Sequence, residues 1–134
     1  MNSKLFRFAM IGCIGFIADA LVFSALFYLA DTPIMVARAI AFVCAATVTW
    51  FGNRTFTFQN TEQKVAQQWI KFMCGASISA LPNFLVFKLM SSVLGEVGRG
   101  PLIALVAGIL VGMVSNYMLS SRWVFAQVGI KRAE

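Results

Sequence analysis

Residues 34–58 read IMVARAIAFVCAATVTWFGNRTFTF and residues 101–125 read PLIALVAGILVGMVSNYMLSSRWVF. With a shift of 67 positions, Ala37, Ala41, Ala45, Thr49 and Trp50 fall on Ala104, Gly108, Gly112, Asn116 and Tyr117. Phe56-Thr57-Phe58 then falls on Trp123-Val124-Phe125. The segments ahead of them repeat as well. A shift of 64 lays Arg7-Phe8 on Lys71-Phe72, Asp19 on Asn83, and Leu21-Val22-Phe23 on Leu85-Val86-Phe87. The chain therefore reads as one two-helix membrane hairpin written twice. Repeat one covers 4–58, a polar linker 59–68 and repeat two 69–125, within a single four-helix membrane domain spanning 1–134. Duplicated hairpins are a common source of transporters, whose sites lie where the repeats meet.

Composition sets the class. The chain is 60% hydrophobic and only 12% charged, against about 25% charged in a soluble domain. Four apolar stretches, Phe8–Ala30, Ile34–Trp50, Trp69–Leu94 and Pro101–Leu119, approach or exceed the ~17–25 residues a helix needs to cross a bilayer. Almost nothing is left over for a soluble domain. The first stretch follows Lys4 and Arg7 as a signal peptide would, but it is too long for a signal core and carries Asp19 in its middle.

Charge orients the chain. Lys4, Arg7, Arg54, Lys64, Lys71, Arg122, Lys131 and Arg132 share one side, Arg38 and Arg99 lie on the other, and Lys88 falls within the third helix. Eight against two predicts N-in, C-in topology with four crossings, so both hairpins enter and leave on the same side and the repeats are parallel. The net charge of +6 is topological, with some attraction to anionic headgroups. The basic residues form no continuous face, and no nucleic-acid partner is expected. Cys13, Cys44 and Cys74 all fall within spans and read as packing residues. With no histidine in the chain there is no zinc pattern, and neither a metal nor another cofactor is expected.

The helix faces locate the polar groups. Ala37, Ala41, Ala45 and Thr49 recur every four residues, as do Ala104, Gly108, Gly112 and Asn116. Small residues at this spacing let backbones approach closely where no hydrophobic force drives helices together. Gly12, Gly15 and Asp19 share a face of the first helix, and Gly75, Ser79 and Asn83 one of the third. Pro82 is expected to kink the third helix beside Asn83.

Asp19 is the leading candidate. It lies roughly 16 Å along the helix from Phe8, near the midplane of a ~30 Å core. A carboxylate there costs at least ~2.5 kcal/mol, and such residues mark a pathway or a pair. Three states are open to it: protonated, salt-bridged to Arg38 or Lys88, or hydrogen-bonded to a polar ligand. Asp19→Asn is expected to fold and insert normally, since asparagine stands at the equivalent position. Lys88 can instead snorkel toward the outer interface.

Trp50, Asn53, Arg54, Phe56 and Phe58 close the second helix. Tyr117, Ser120, Ser121, Arg122, Trp123 and Phe125 close the fourth. An interfacial aromatic belt accounts for most of these, while Arg54 and Arg122 are also suited to hold phosphate.

The pattern Arg7-Phe8-x3-Gly12, Asp19, Asn53-Arg54-x-Phe56-Thr57-Phe58, Asn116-Tyr117 and Ser121-Arg122-Trp123-Val124-Phe125 resembles the GtrA family over about residues 4–125. Phe56 stands where tryptophan is common. The resemblance implies four transmembrane helices in a bacterial inner membrane. It also implies a role in moving polyprenyl-phosphate-linked monosaccharides, such as undecaprenyl-phosphate glucose, from the cytoplasmic to the outer leaflet for O-antigen or other envelope polysaccharide. The partners it implies are that sugar lipid, membrane lipids and glycosyltransferases of the same pathway.

Flipping requires no covalent catalysis, so no enzyme activity is expected. Asp19, Asn83, Thr49 and Asn116 suit sugar hydroxyls, and Arg54 and Arg122 suit the phosphate. Asn53, Trp50, Tyr117, Lys88 and Arg38 complete the candidate substrate-binding set. Four helices can hardly enclose a sugar, so either a homodimer or a groove open to lipid is expected. Three other readings compete: a small multidrug-resistance-type exporter using Asp19 as a proton-coupled cation site, a scaffold recruiting a glycosyltransferase, and, least favoured, a membrane glycosyltransferase.

Overall fold

The computed structural model describes residues 2–95 and 97–126. Lys131 and Arg132, counted above toward the charge bias, lie outside the described residues. Four helices follow one another: α1 (Asn2–Ser24), α2 (Ile34–Gly52), α3 (Val65–Leu94) and α4 (Gly100–Leu119). Three of them widen into a closing π-turn, at Ala25–Leu29, Asn53–Thr57 and Ser120–Val124. The resulting apolar spans, Ser3–Leu29, Ile34–Thr57, Val65–Leu94 and Gly100–Val124, are all long enough to cross a membrane. The protein is an all-α, multi-pass membrane protein.

The spans outrun the apolar stretches of the sequence because hydrocarbon leaves backbone groups no partner but the helix itself. Polar residues at the ends are therefore drawn into the helix. α1 starts at Asn2, well ahead of Phe8, and α3 starts at Val65, inside the polar 59–68 stretch. α3 also runs through Pro82 as one continuous element. Gly95 ends α3 at φ 80°, in the left-handed region that glycine occupies without strain.

α1 packs chiefly on α2, and α3 on α4; α2–α3 and α1–α4 touch less, and the diagonal pairs do not approach. The faces are those that small residues mark. Ala37, Ala41, Ala104, Gly108 and Gly112 are buried. A Cβ at Gly108 would stand 2.7 Å from the Asn83 carbonyl oxygen, and one at Gly112 would stand 2.8 Å from the Asn83 Cβ. The Asn83 side chain thus lies in the groove that these two glycines open. Gly12 departs from expectation: it is exposed and a Cβ there would meet nothing. It is Ile11 that packs over Gly52, so Gly12 is rotated off the packed face.

The two pairs join at the end that carries Asn2 and Val124, here called the terminal end; the other is the turn end. Phe8 packs edge-on against Phe58 and Tyr117, at 6.3 and 5.3 Å between ring centroids, and Phe58 stacks on Phe125 at 4.8 Å. Ala46, Trp50, Phe72 and Val124 fill out this core. Most other large apolar side chains, such as Phe16, Leu29, Leu81 and Val93, point outward, as lipid-facing residues should.

Candidate functional site

The polar candidates collect at two depths. Part-way along α1, Arg38 Nη1 donates to Asp19 Oδ2 at 3.2 Å, which selects Arg38 over Lys88 as the partner. Asp19 lies ten residues before Leu29, the end of its span, or about 15 Å at 1.5 Å per residue. The Asp19 side chain is 22% exposed and that of Arg38 55%, so the pair opens toward the surroundings. The guanidinium also sits 5.3 Å over the Phe23 ring, a favourable cation–π arrangement. Lys88 is exposed and stands apart.

In the other pair, Asn83 lies eleven residues before Leu94, the end of its own span, and is half-buried against α4. The two equivalent positions thus differ in surroundings, an arginine over Asp19 and two glycines under Asn83. Thr49 donates to the Ala45 carbonyl at 2.8 Å, and a Cβ at Gly15 would collide with its hydroxyl. Asn116 Oδ1 and Ser79 Oγ are buried without a hydrogen-bond partner. Buried polar atoms are satisfied in the great majority of cases, so these mark a polar patch between α3 and α4.

The terminal end holds a dense network around Gln68, which is 3% exposed. Its Oε1 accepts from Arg54 Nη1 and from Trp50 Nε1 at 3.3 Å. Its Nε2 donates to Asn60 Oδ1 at 2.9 Å, and Asn60 Nδ2 reaches the Phe125 carbonyl at 3.1 Å. Arg54 Nη2 donates to the Glu62 carbonyl at 2.6 Å. Arg54 is therefore occupied in tying the 59–64 segment to α2 and α3, while its guanidinium lies 6.0 Å over Trp50. Asn53 is fully buried and its Oδ1 accepts from Thr57 at 2.7 Å. Tyr117 belongs to the aromatic core beside Phe8.

Arg122 has a different role. With Glu62, Lys64, Gln67, Gln68, Lys71, Trp123, Val124 and Ala126 it lines a cleft of about 210 Å³ between the start of α3 and the end of α4. Glu62 is its acid, and the carboxyl is held below its ordinary pKa first by the Lys64 backbone N–H, against the opposing effect of burial, then by the Gln63 N–H and the charges of Lys64 and Lys71.

Sequence reasoning missed Lys64, Lys71, Gln68 and Asn60. The match of Lys71 to Arg7 was a usable signal, but Gln68 and Asn60 lie in the linker, where no repeat partner exists. No individual curated protein matches the chain. Residues 7–125 do match the family described as GtrA/DPMS, transmembrane domain, and with nearly the whole chain covered, the protein belongs to that family.

Proposed function

We propose that the protein carries a polyprenyl-phosphate-linked monosaccharide, of the undecaprenyl-phosphate glucose type, from the cytoplasmic to the outer leaflet of a bacterial inner membrane. The product would serve O-antigen or another envelope polysaccharide. The observation that carries the reading is the Asp19–Arg38 pair, open at bilayer depth in a chain of the GtrA family. Charges in lipid are costly and serve where something polar must pass. A sugar entering such a place can exchange its water for carboxylate, amide and hydroxyl partners at Asp19, Asn83, Thr49 and Asn116, while the prenyl tail stays in lipid. The guanidinium can share its remaining N–H groups with a phosphate.

In this reading the terminal end faces the cytoplasm, in keeping with the positive-inside bias, and no covalent step occurs. The hairpins act as parallel repeats, and a second copy or lipid covers the open flank of Arg38. The glycosyltransferase that makes the sugar lipid is the natural functional partner. An arginine-paired carboxylate argues against a cationic-drug site, since the pair is already neutral.

Purified protein in liposomes, given a panel of polyprenyl-phosphate sugars and a leaflet-resolved readout, tests the proposal. Accelerated appearance of a subset in the opposite leaflet is expected. Equal rates with protein-free liposomes for every lipid would end it.

A further inference from the structure

We infer that the cleft lined by Lys64, Lys71, Arg122, Gln67 and Trp123 is the seat of a phosphate-bearing lipid headgroup. The inference deepens the proposed function by naming where the phosphate docks, and it rests on that function only for which lipid is carried.

Three observations converge. The cleft sets three cations against one acid, Glu62, a formal excess of two positive charges. Glu62 is partly engaged already, since its Oε1 accepts from the Lys64 backbone N–H at 3.0 Å, so it offsets only one of the three cations. Among the described residues none of the three cations stands within ion-pair distance of a carboxylate, the ion pair there being Arg38–Asp19.

The second observation is the start of α3. This helix has no acidic residue in its first turn and no side-chain cap, and its N-cap position is Lys64. The Lys64 N–H is taken by Glu62 Oε1 and the Val65 N–H by the Gln63 carbonyl, but the N–H groups of Ala66 and Gln67 and the dipole of a long helix still make this N-terminus electropositive. Cations there are unfavourable unless an anion joins them, and helix N-termini bind phosphate for this reason.

The third is an asymmetry between the halves. Arg7, the counterpart of Lys71, donates from Nη1 to the carbonyl of Phe56 at 3.2 Å, and Phe56 is the counterpart of Trp123. The first half thus closes with its own cation the corner that the second half leaves as a cleft.

The space suits the occupant. About 210 Å³ equals roughly seven waters at ~30 Å³ each, enough for a phosphate with part of a polar group attached. Trp123 offers an amphipathic ring of the kind that settles at headgroup depth, and Gln67 offers an amide for a hydroxyl. The cleft lies at the terminal ends of two spans, where a lipid phosphate sits. The proposed occupant is therefore a lipid headgroup, and free phosphate is the competing source.

Native mass spectrometry of the full-length protein in detergent, with undecaprenyl phosphate, phosphatidylglycerol and inorganic phosphate as probes, tests this. Undecaprenyl phosphate is expected to bind, with roughly tenfold or greater loss in Lys71→Gln or Arg122→Gln, as fits removal of a charge-assisted hydrogen bond. Lys71→Arg and Arg122→Lys should retain binding, which separates charge from misfolding, and Lys4→Gln and Arg99→Gln should bind as the native chain does. Unchanged binding in the cleft variants, or an equal loss in Lys4→Gln and Arg99→Gln, would overturn the inference. Binding of inorganic phosphate as tight as that of the lipid would overturn the lipid assignment. Binding of phosphatidylglycerol that also depends on Lys71 and Arg122 would support the seat and show that it reads the phosphate rather than the tail. Cleft-dependent binding without any flipping in liposomes would leave the seat standing and remove the transport reading.

Discussion

The Asp19–Arg38 pair changes what removing Asp19 should do. A lone midplane carboxylate would be eased by conversion to asparagine, but here the substitution strands Arg38. At 3.2 Å and an effective dielectric of 20, the gross attraction is 332/(20 × 3.2), about 5 kcal/mol. Insertion scales place a single uncompensated charge at helix centre at ~2.5–3.5 kcal/mol, an upper figure for Arg38, which stands four residues after Ile34 at the start of α2. Asp19→Asn and Arg38→Gln are each expected to lower stability by about 2–3 kcal/mol. The double variant removes both charges and should lose less than about 1 kcal/mol. The resulting coupling, about 4 kcal/mol, is large for a contacting pair and near the Coulomb figure.

Equilibrium unfolding in mixed micelles, followed by tryptophan fluorescence, measures all four corners of this cycle. The same four proteins in the liposome assay then separate stability from function. The double variant is expected to be folded yet inactive, because a neutral pair offers neither carboxylate nor guanidinium to a passing headgroup. Additive single costs would refute the pairing. A double variant with native flipping rates would refute the role of the charges in transport, whatever its stability.

Gly112→Val should destabilise by about 1–3 kcal/mol, since even a Cβ meets Asn83 at 2.8 Å; Gly12→Ala, with nothing near, should stay within about 0.5 kcal/mol, and the same unfolding titration compares them. Gln68→Leu should cost about 2–3 kcal/mol by orphaning Arg54 and Trp50, read as unfolding midpoint together with faster trypsin cleavage after Lys64. Glu62 has a lowered pKa in the folded state, so its contribution is complete above the ordinary carboxylate range and lost as pH falls through the folded value. Glu62→Gln should therefore flatten the acid limb of the stability–pH profile, and an unchanged limb would contradict the assignment. Reporter fusions at both termini should place both in the cytoplasm; an external terminus, or equal populations of two orientations, would reverse the topology proposed above.

The helices and their packed faces were legible because the bilayer reduces folding to length and face. Ala37, Ala41, Ala104, Gly108 and Gly112 announce a tight interface through size alone, and all five are buried. The partner of Asp19 was narrowed to two residues but not chosen, because choosing requires knowing which side chain reaches across from a neighbouring helix. Arg38 and Lys88 are equally plausible by depth. Gln68 was invisible for another reason. A glutamine in a polar linker gives no periodic signal, and only the fold reveals that it is buried and accepts from two donors. Arg54 and Arg122 look alike in sequence, yet one is fastened by the 59–64 segment and the other lines an open cleft. Gly12 shows the limit of helical periodicity, since Ile11, one turn before the buried Gly15 on the same stripe of α1, makes the contact in its place.

The proposals place the two polar regions in one path. Lys71 and Asn83 lie on the same helix twelve residues apart, about 18 Å at 1.5 Å per residue, more than half of a ~30 Å hydrocarbon core. A phosphate held at the cleft therefore has to cross that distance before it reaches the level of Arg38. Between these levels the α3–α4 interface carries Ser79 and Asn116, whose buried oxygens have no partner, while the α1–α2 interface carries Thr49, bonded only to its own helix. If the halves were identical, cations would stand at both levels twice and hold the anion too well to release it. In this chain the halves have diverged instead. One pairs Arg38 with Asp19 at depth, and the other gathers Lys64, Lys71 and Arg122 around a surface cleft with the single acid Glu62. Capture then needs no bond broken within the protein, whereas acceptance at depth requires a headgroup to share Arg38 with Asp19. That exchange makes the deeper site weaker, as a carrier needs it to be, and it predicts that neutralising Asp19 alone should trap the lipid rather than merely slow its arrival.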